Sequence, residues 1–261
     1  MNNFEALIEN LDLKLFEKIL SQSTEHDKKT LLAIQSAVRE LNPNYNYLEI
    51  GSYLGGSIQP HLLDDKCAKI YSIDKRPPVQ PDARGIDYAY ENNSTERMLE
   101  KLKTVSAEKM DKIVTIDGDS GEIPVSKVAD KIDLCFIDGE HTDEAVLRDF
   151  KFCLNVLKEN GAICFHDSQI TYNGIANSIK YLEEKKIAHR AYILPNIVFV
   201  IEIGNFPLHK NPKILERLID NHHSYIFSLQ NNDEFRRFAN KFPFRQVRNL
   251  MVRMRKGHIS R

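Results

Sequence analysis

The chain has 261 residues, 42% of them hydrophobic, enough to bury a sizeable core in one large domain or two small ones. Lys and Arg number 36 against 37 Asp and Glu, so no bulk charge argues for a nucleic-acid partner. No run approaches the roughly 20 apolar residues of a membrane-spanning helix, the N-terminus is charged throughout rather than signal-like, and Cys67, Cys135, Cys153 and Cys164 form no C-x-x-C pair, which reads as free thiols in a reducing, cytoplasmic setting.

Over 4–20, Phe4, Leu7, Ile8, Leu11, Leu15 and Ile19 recur at helical spacing and predict a helix. A second is predicted over 27–42, stopped at Asn42-Pro43. From Tyr45 onward short apolar runs at 46–51, 69–74, 112–118, 132–138 and 161–167 alternate with helical stretches around 56–65, 92–107, 142–158 and 174–186. That alternation predicts right-handed crossovers and a parallel sheet covered on both faces, an α/β Rossmann-like three-layer sandwich. The stretch 189–203 differs: two β-rich runs joined by Leu194-Pro195-Asn196 leave no room for a helix and predict a terminal antiparallel hairpin. The expected division is a helical cap over 1–44, the α/β domain over 45–204, and a C-terminal helical extension with a basic tail over 205–261. From Arg236 there is no acidic residue, while Arg236, Arg237, Lys241, Arg245, Arg248, Arg253, Arg255, Lys256 and Arg261 are basic.

Ligands of open α/β sheets bind beyond the carboxyl ends of the strands, and four strand ends here carry polar residues. Glu49, Gly51, Gly55 and Gly56 make a strand-to-helix turn that suits close approach of a ligand, or simply a tight turn. Asp74 lies some twenty residues on, placed for ribose hydroxyls or for a helix cap. Asp119 and Ser120 follow the third strand, as an adenine contact or a turn. Asp138 and Asp167 end strands expected to be close, with His141 and His166 beside them; this donor set suits Mg²⁺ or Mn²⁺, and a neutral histidine could take a proton from a hydroxyl. Against these, Asp138 could cap the following helix and His166 could be packing.

The set YLEIGSYLGGS, YSIDKR, DGDS, FIDGEHTDEAVLRDF and GAICFHDS resembles the class I S-adenosylmethionine-dependent methyltransferases over roughly residues 45–203. It is most similar to the branch with I-D-G-x-H after the fourth strand, which includes small-molecule and sugar O-methyltransferases. The resemblance implies a mostly parallel seven-stranded sheet. It implies that Glu49, Gly51, Tyr53 and Gly55 line the methionine end of S-adenosyl-L-methionine, that Asp74 binds its ribose and Asp119 with Ser120 its adenine, and that Asp138 sits beside the transferred methyl. Metal-dependent members place two adjacent acids after the fifth strand; here the pair is His166-Asp167, so the implied cation set is Asp138, Asp167 and His166. His141 is the expected base. The expected acceptor is a hydroxyl of a small molecule or glycan. A nicotinamide-dependent oxidoreductase would share the glycine turn and Asp74 but lacks its G-x-G here, and a non-catalytic cofactor-binding module is the other alternative. The basic arm, with Phe238, Phe242, Phe244, Leu250, Met251 and Met254 among its cations, suits an anionic membrane surface or a solvated tail. A homodimer is compatible with this reading.

Overall fold

Apolar runs that a single helix face could not bury pair instead into one sheet, seen in a computed structural model that describes residues 3–259 except 84, 86, 220, 221, 223, 224, 227–229, 231, 232, 234–236 and 239. The strands are β1 (Tyr45–Ile50), β2 (Cys67–Asp74), β3 (Val79–Pro81), β4 (Asp87–Ala89), β5 (Ile113–Asp117), β6 (Ile132–Ile137), β7 (Leu157–Phe165), β8 (His189–Ile193) and β9 (Phe199–Ile203). Seven of them form a sheet in the order β5-β2-β1-β6-β7-β9-β8, parallel except for β9, which runs antiparallel to both β7 and β8. The mostly parallel seven-stranded sheet and its terminal hairpin are therefore as expected. The chain enters at β1, steps outward to β2 and β5, and returns to β6 on the other side of β1. The strand order thus reverses between β1 and β6, where Ile50 lies opposite Ile137. A crevice opens at such a reversal because the connections leave in opposite directions.

The helices are α1 (Asn3–Glu9), α2 (Glu25–Leu41), α3 (Gln59–Leu63), α4 (Thr95–Val105), α5 (Asp143–Val156), α6 (Tyr172–Glu184), α7 (Pro212–Ile219) and α8 (Phe244–Ile259). Alternate residues of each strand feed two cores. Tyr47, Leu134 and Phe136 pack with Ala33 and Ala37 of α2 and with Leu62, Met98 and Leu102. Leu48, Cys135 and Ile137 pack on the other side with Phe150 and Cys153 of α5 and Leu182 of α6. All six residues of β6 are buried, as a strand covered on both faces requires.

Three expectations change. The predicted helix over 4–20 breaks after Glu9: Leu11 takes a left-handed φ of 50° and Asp12 caps a short 3-10 turn at Leu13–Phe16 by accepting from Lys14 N–H. The break lets Leu15 and Phe16 pack back on Phe4, Ile8 and Leu32. The helix expected around 56–65 shrinks to the five residues of α3, since Gly55 (φ 80°) still belongs to the turn before it. The antiparallel pair β3–β4 was not anticipated; it stands apart from the main sheet.

The chain forms two compact units, 1–220 and 221–261; the boundaries expected at 44 and 204 fall inside the first. In the second, α8 follows a turn in which the Phe238 and Phe244 rings lie 4.3 Å apart, and Phe242, Val247, Leu250 and Met251 are exposed. Of the expected basic arm, Arg236 and Arg261 lie outside the described residues, as do the side chains of Arg253, Met254, Arg255 and Lys256. Among the described residues no helix is long and apolar enough to cross a membrane.

Candidate active site

The strand tips stay hydrogen-bonded beyond their last paired residues. Gly51 N–H donates to Ile73 O, Asp138 N–H to Ile50 O, and His166 N–H to Ile137 O. This brings the residues after β1, β2, β6 and β7 to one edge of the sheet. Gly51 has φ 92°, and a Cβ built on it would lie 2.1 Å from the Asp138 carbonyl oxygen. Glycine is demanded there by the approach of β1 to β6. Gly55 is likewise a packing glycine, faced by Leu102 of α4.

Asp74, buried at the tip of β2, organises the turn above it. Its carboxylate accepts Tyr53 N–H at 2.9 Å and Arg76 N–H at 2.7 Å and pairs with the Arg76 guanidinium at 3.3 Å. Two oxygens offer about four lone-pair sites, so acceptor capacity remains for a ligand hydroxyl.

Glu49 is fully buried and does not reach the cavity described below. It accepts from Tyr47 OH at 2.6 Å and Ser57 Oγ at 2.8 Å. Burial pushes its pKa up to about 7 from an ordinary 4.5, against those two hydrogen bonds and with help from the Asp138 charge. An acid with a raised folded pKa loses stability as pH rises from its unfolded to its folded value, because the unfolded chain releases the proton first. Between pH 5 and 8 the protein should therefore lose roughly 3 kcal/mol that Glu49→Gln retains. Denaturant unfolding at the two pH values tests this; identical pH slopes in both proteins would remove Glu49 as the cause.

At the tips of β6 and β7 two carboxylates and two imidazoles interlock. His141 Nε2 lies 3.2 Å from Asp167 Oδ2, while His166 Nδ1 lies 3.0 Å from Asp167 Oδ2 and 3.3 Å from Asp138 Oδ1. Asp167 has a left-handed φ of 50°, a conformation aspartate tolerates, and its carbonyl accepts the N–H of Ile170 and Thr171 in the turn that leads into α6. Asp138 has no capping duty, since Thr142 Oγ1 accepts Ala145 N–H at the start of α5. Burial pushes the His166 ring's pKa down, but the Asp138 charge and the hydrogen bonds the ring donates to both carboxylates outweigh it, so the ring stays protonated well above the usual range. For His141 burial also acts downward, and the Asp167 hydrogen bond and charge carry the net shift upward. Asp167 in turn is held below the usual carboxylate range: burial opposes this, and both histidines enforce it.

A residue from far away in sequence completes the cluster. Asp27, in the first turn of α2, is fully buried and accepts from Thr24 Oγ1 (2.6 Å), Asn196 Nδ2 (2.9 Å) and Ile197 N–H (3.3 Å). Its Oδ2 lies 3.8 Å from His166 Nε2, a buried nitrogen with no hydrogen-bond partner among the described residues. The sequence signal was the capping box Thr24-x-x-Asp27, which marks a helix start.

A cavity of about 440 Å³ opens over this edge. Ser52, Tyr53, Asp74, Asp138, His141 and Asp167 form its floor, with His166 and Asp27 behind; Leu20–Thr24 close one side, and Gln80, Tyr88, Ala89 and Tyr90 of the β3–β4 hairpin close another. The hairpin is tied down by Ala83 N–H donating to His141 O and by the edge-to-face contact of Tyr88 with the His141 ring. Asp74 also borders a gap of about 20 Å³ shared with Gly51, Ser120, Gly139 and Asp149. Of the expected cofactor residues, Tyr53, Asp74 and Asp138 thus reach the cavity, and Gly51 and Ser120 the gap. Glu49, Gly55 and Asp119 line neither. Ser120 Oγ donates to Asp149, and the Asp119 carboxylate is taken up by Lys75 (2.7 Å) and Arg148 (2.8 Å).

The cation set also differs from expectation. Asp138, His141 and Asp167 each offer one ligand atom, all within 4.8 Å of one another, whereas His166 sits behind the two carboxylates and already bonds to both. Two hard oxygens and an imidazole suit Mg²⁺ or Mn²⁺ with water completing the shell.

Residues 48–168 match the family described as methyltransferase domain. The stretch from β1 to the turn after β7 thus carries a methyltransferase domain. The protein shares its fold with the O-methyltransferase NovP (TM-score 0.56, 13% identity, covering 76% of this chain and 97% of that one). It also resembles the calicheamicin methyltransferase CalS11 (0.53, 16%, 78% and 87%) and TomG from Streptomyces achromogenes, an O-methyltransferase involved in tomaymycin synthesis and solved in complex with SAM (0.50, 12%, 78% and 90%). No curated protein matches the sequence.

Proposed function

We propose that this methyltransferase acts on a hydroxyl of a small molecule or sugar. The observation that carries the reading is the His141–Asp167 pair on the cavity floor beside Asp138. S-adenosylmethionine supplies a methyl already activated by its sulfonium, so the protein's work is alignment and removal of the hydroxyl proton. The carboxylates of Asp74 and Asp138 suit the ribose hydroxyls and the cationic centre of that donor. Asp167 holds His141 through Nε2, and Nδ1, which has no protein partner among the described residues, is left to take the proton. Asp138, His141 and Asp167 would also hold a divalent cation, which would lower the hydroxyl's pKa. The fold relatives named O-methyltransferases support the same acceptor chemistry.

Calorimetry with S-adenosylmethionine tests the reading, with nicotinamide cofactors as the control expected not to bind. Asp74→Ala should weaken binding by about 1–3 kcal/mol, the cost of leaving buried polar groups unpaired. Unchanged affinity would take Asp74 out of the site, and no binding by the parent protein would end the proposal. Exhaustive chelation separates the two ways of handling the proton: activity that survives assigns it to His141 alone.

A further inference from the structure

We propose that α8 is a membrane-surface helix that lays an apolar stripe into an anionic lipid leaflet. This inference needs nothing of the methyl-transfer chemistry. At about 100° per residue, Phe244, Val247, Leu250 and Met251 fall within one arc of about 120° of the helix, and Arg245, Arg248 and Asn249 fall outside it. The four apolar side chains are between 46% and 62% exposed, and Phe242 just before the helix is 78% exposed. A helix face docked on protein buries such side chains. This one is left in water.

Charge selects what covers it. All 37 acidic residues of the chain precede Arg236, while nine of its 36 basic ones lie from there onward. Among the described residues no carboxylate pairs with Lys241, Arg245 or Arg248, whereas Arg237 is held by Asp233 at 2.6 Å. The sequence runs on with Arg253, Met254, Arg255 and Lys256. An anionic leaflet satisfies both faces at once: its phosphates take the cations and its acyl boundary takes the stripe. A second copy would cover the stripe but set like charges against each other. Nucleic acid would take up the cations and leave the stripe in water. The helix lies on the leaflet and does not cross it, since its 16 residues span about 24 Å against a hydrocarbon core of about 30 Å.

The test sediments the full chain with vesicles of phosphatidylcholine, pure or with about one-third phosphatidylglycerol. At about 0.1 M salt the partition coefficient should be about tenfold or more higher on the anionic vesicles, and should fall as salt rises. Arg245→Gln combined with Arg248→Gln should lower it about 25-fold, or about fivefold per cation. Leu250→Ser combined with Met251→Ser keeps every charge and should lower it by about as much. All four side chains are exposed, and melting temperatures check that the variants fold. The chain has no tryptophan, so a single one reports depth. Leu250→Trp emission should shift to the blue on anionic vesicles, and Asn249→Trp, on the opposite face, should not. Equal partitioning on both vesicle types, or none on either, overturns the proposal. So does anionic binding that Leu250→Ser with Met251→Ser leaves unchanged, or a blue shift shared by both tryptophan variants. Duplex DNA and polyglutamate offer charge without an acyl phase, and capture by either as tight as by the anionic vesicles also overturns it. An oligomer in lipid-free solution that the apolar double variant dissolves would assign the stripe to a second copy instead.

Discussion

Gly51→Ala is expected to destabilise the protein by on the order of 3 kcal/mol or more, the largest effect of any single methyl group at the site. The added Cβ would meet the Asp138 oxygen at 2.1 Å, the Asp138 carbonyl carbon at 2.5 Å and Gly139 Cα at 2.6 Å, and φ is 92°. All three obstacles are main-chain atoms, so no rotamer change relieves them; β1 and β6 would have to separate where the strand order reverses. Gly85 supplies the comparison, with a similar φ of 78° and nothing within 4 Å of its built Cβ. Gly85→Ala should cost only about 1 kcal/mol of backbone strain. Denaturant unfolding of both variants checks the difference, and equal losses would mean that φ alone, without the clash, explains the glycine.

His141→Ala is expected to lower kcat by about 10²–10⁴ while leaving S-adenosylmethionine affinity nearly unchanged, the mark of a group that acts on a proton in the transition state. The ring packs against Tyr88 and holds Asp167, so the variant's folding is checked by its melting temperature. Asp119→Asn is the contrast: Asp119 is engaged with Lys75 and Arg148 and lines neither cavity nor gap, so kcat should stay within about twofold. A full loss in Asp119→Asn, or none in His141→Ala, would relocate the chemistry.

These two expectations also show where sequence reasoning succeeds. β6 was readable because all six of its residues are buried, so the first polar residue after it, Asp138, had to mark the tip. The facing direction of a side chain near a tip was not readable. Glu49 lies on the Tyr47 side of its strand and is drawn inward by Tyr47 OH and Ser57 Oγ. Asp119 follows its strand at the right distance, yet two cations hold its carboxylate away. The break at Leu11 left no mark, because the apolar spacing runs on through it. Asp27, Gln80 and Tyr88 escaped notice for a different reason. They come from a helix start and a hairpin of two three-residue strands outside the strand–helix alternation, and only the folded chain brings them over the sheet edge.

Asp27 has a bearing on how far this enzyme can be pared down. The α/β repeat alone, residues 45–204, holds every strand of the main sheet and all three carboxylates of the floor, Asp74, Asp138 and Asp167. A fragment cut to that span would nonetheless lose the anion behind His166 and the acceptor for Asn196 and Ile197 N–H, opening the rear of the cluster to water. It would also lose the wall at Leu20–Thr24. The helices that precede the first strand are thus the back plate of the reaction chamber, and a minimal catalytic unit has to begin upstream of them.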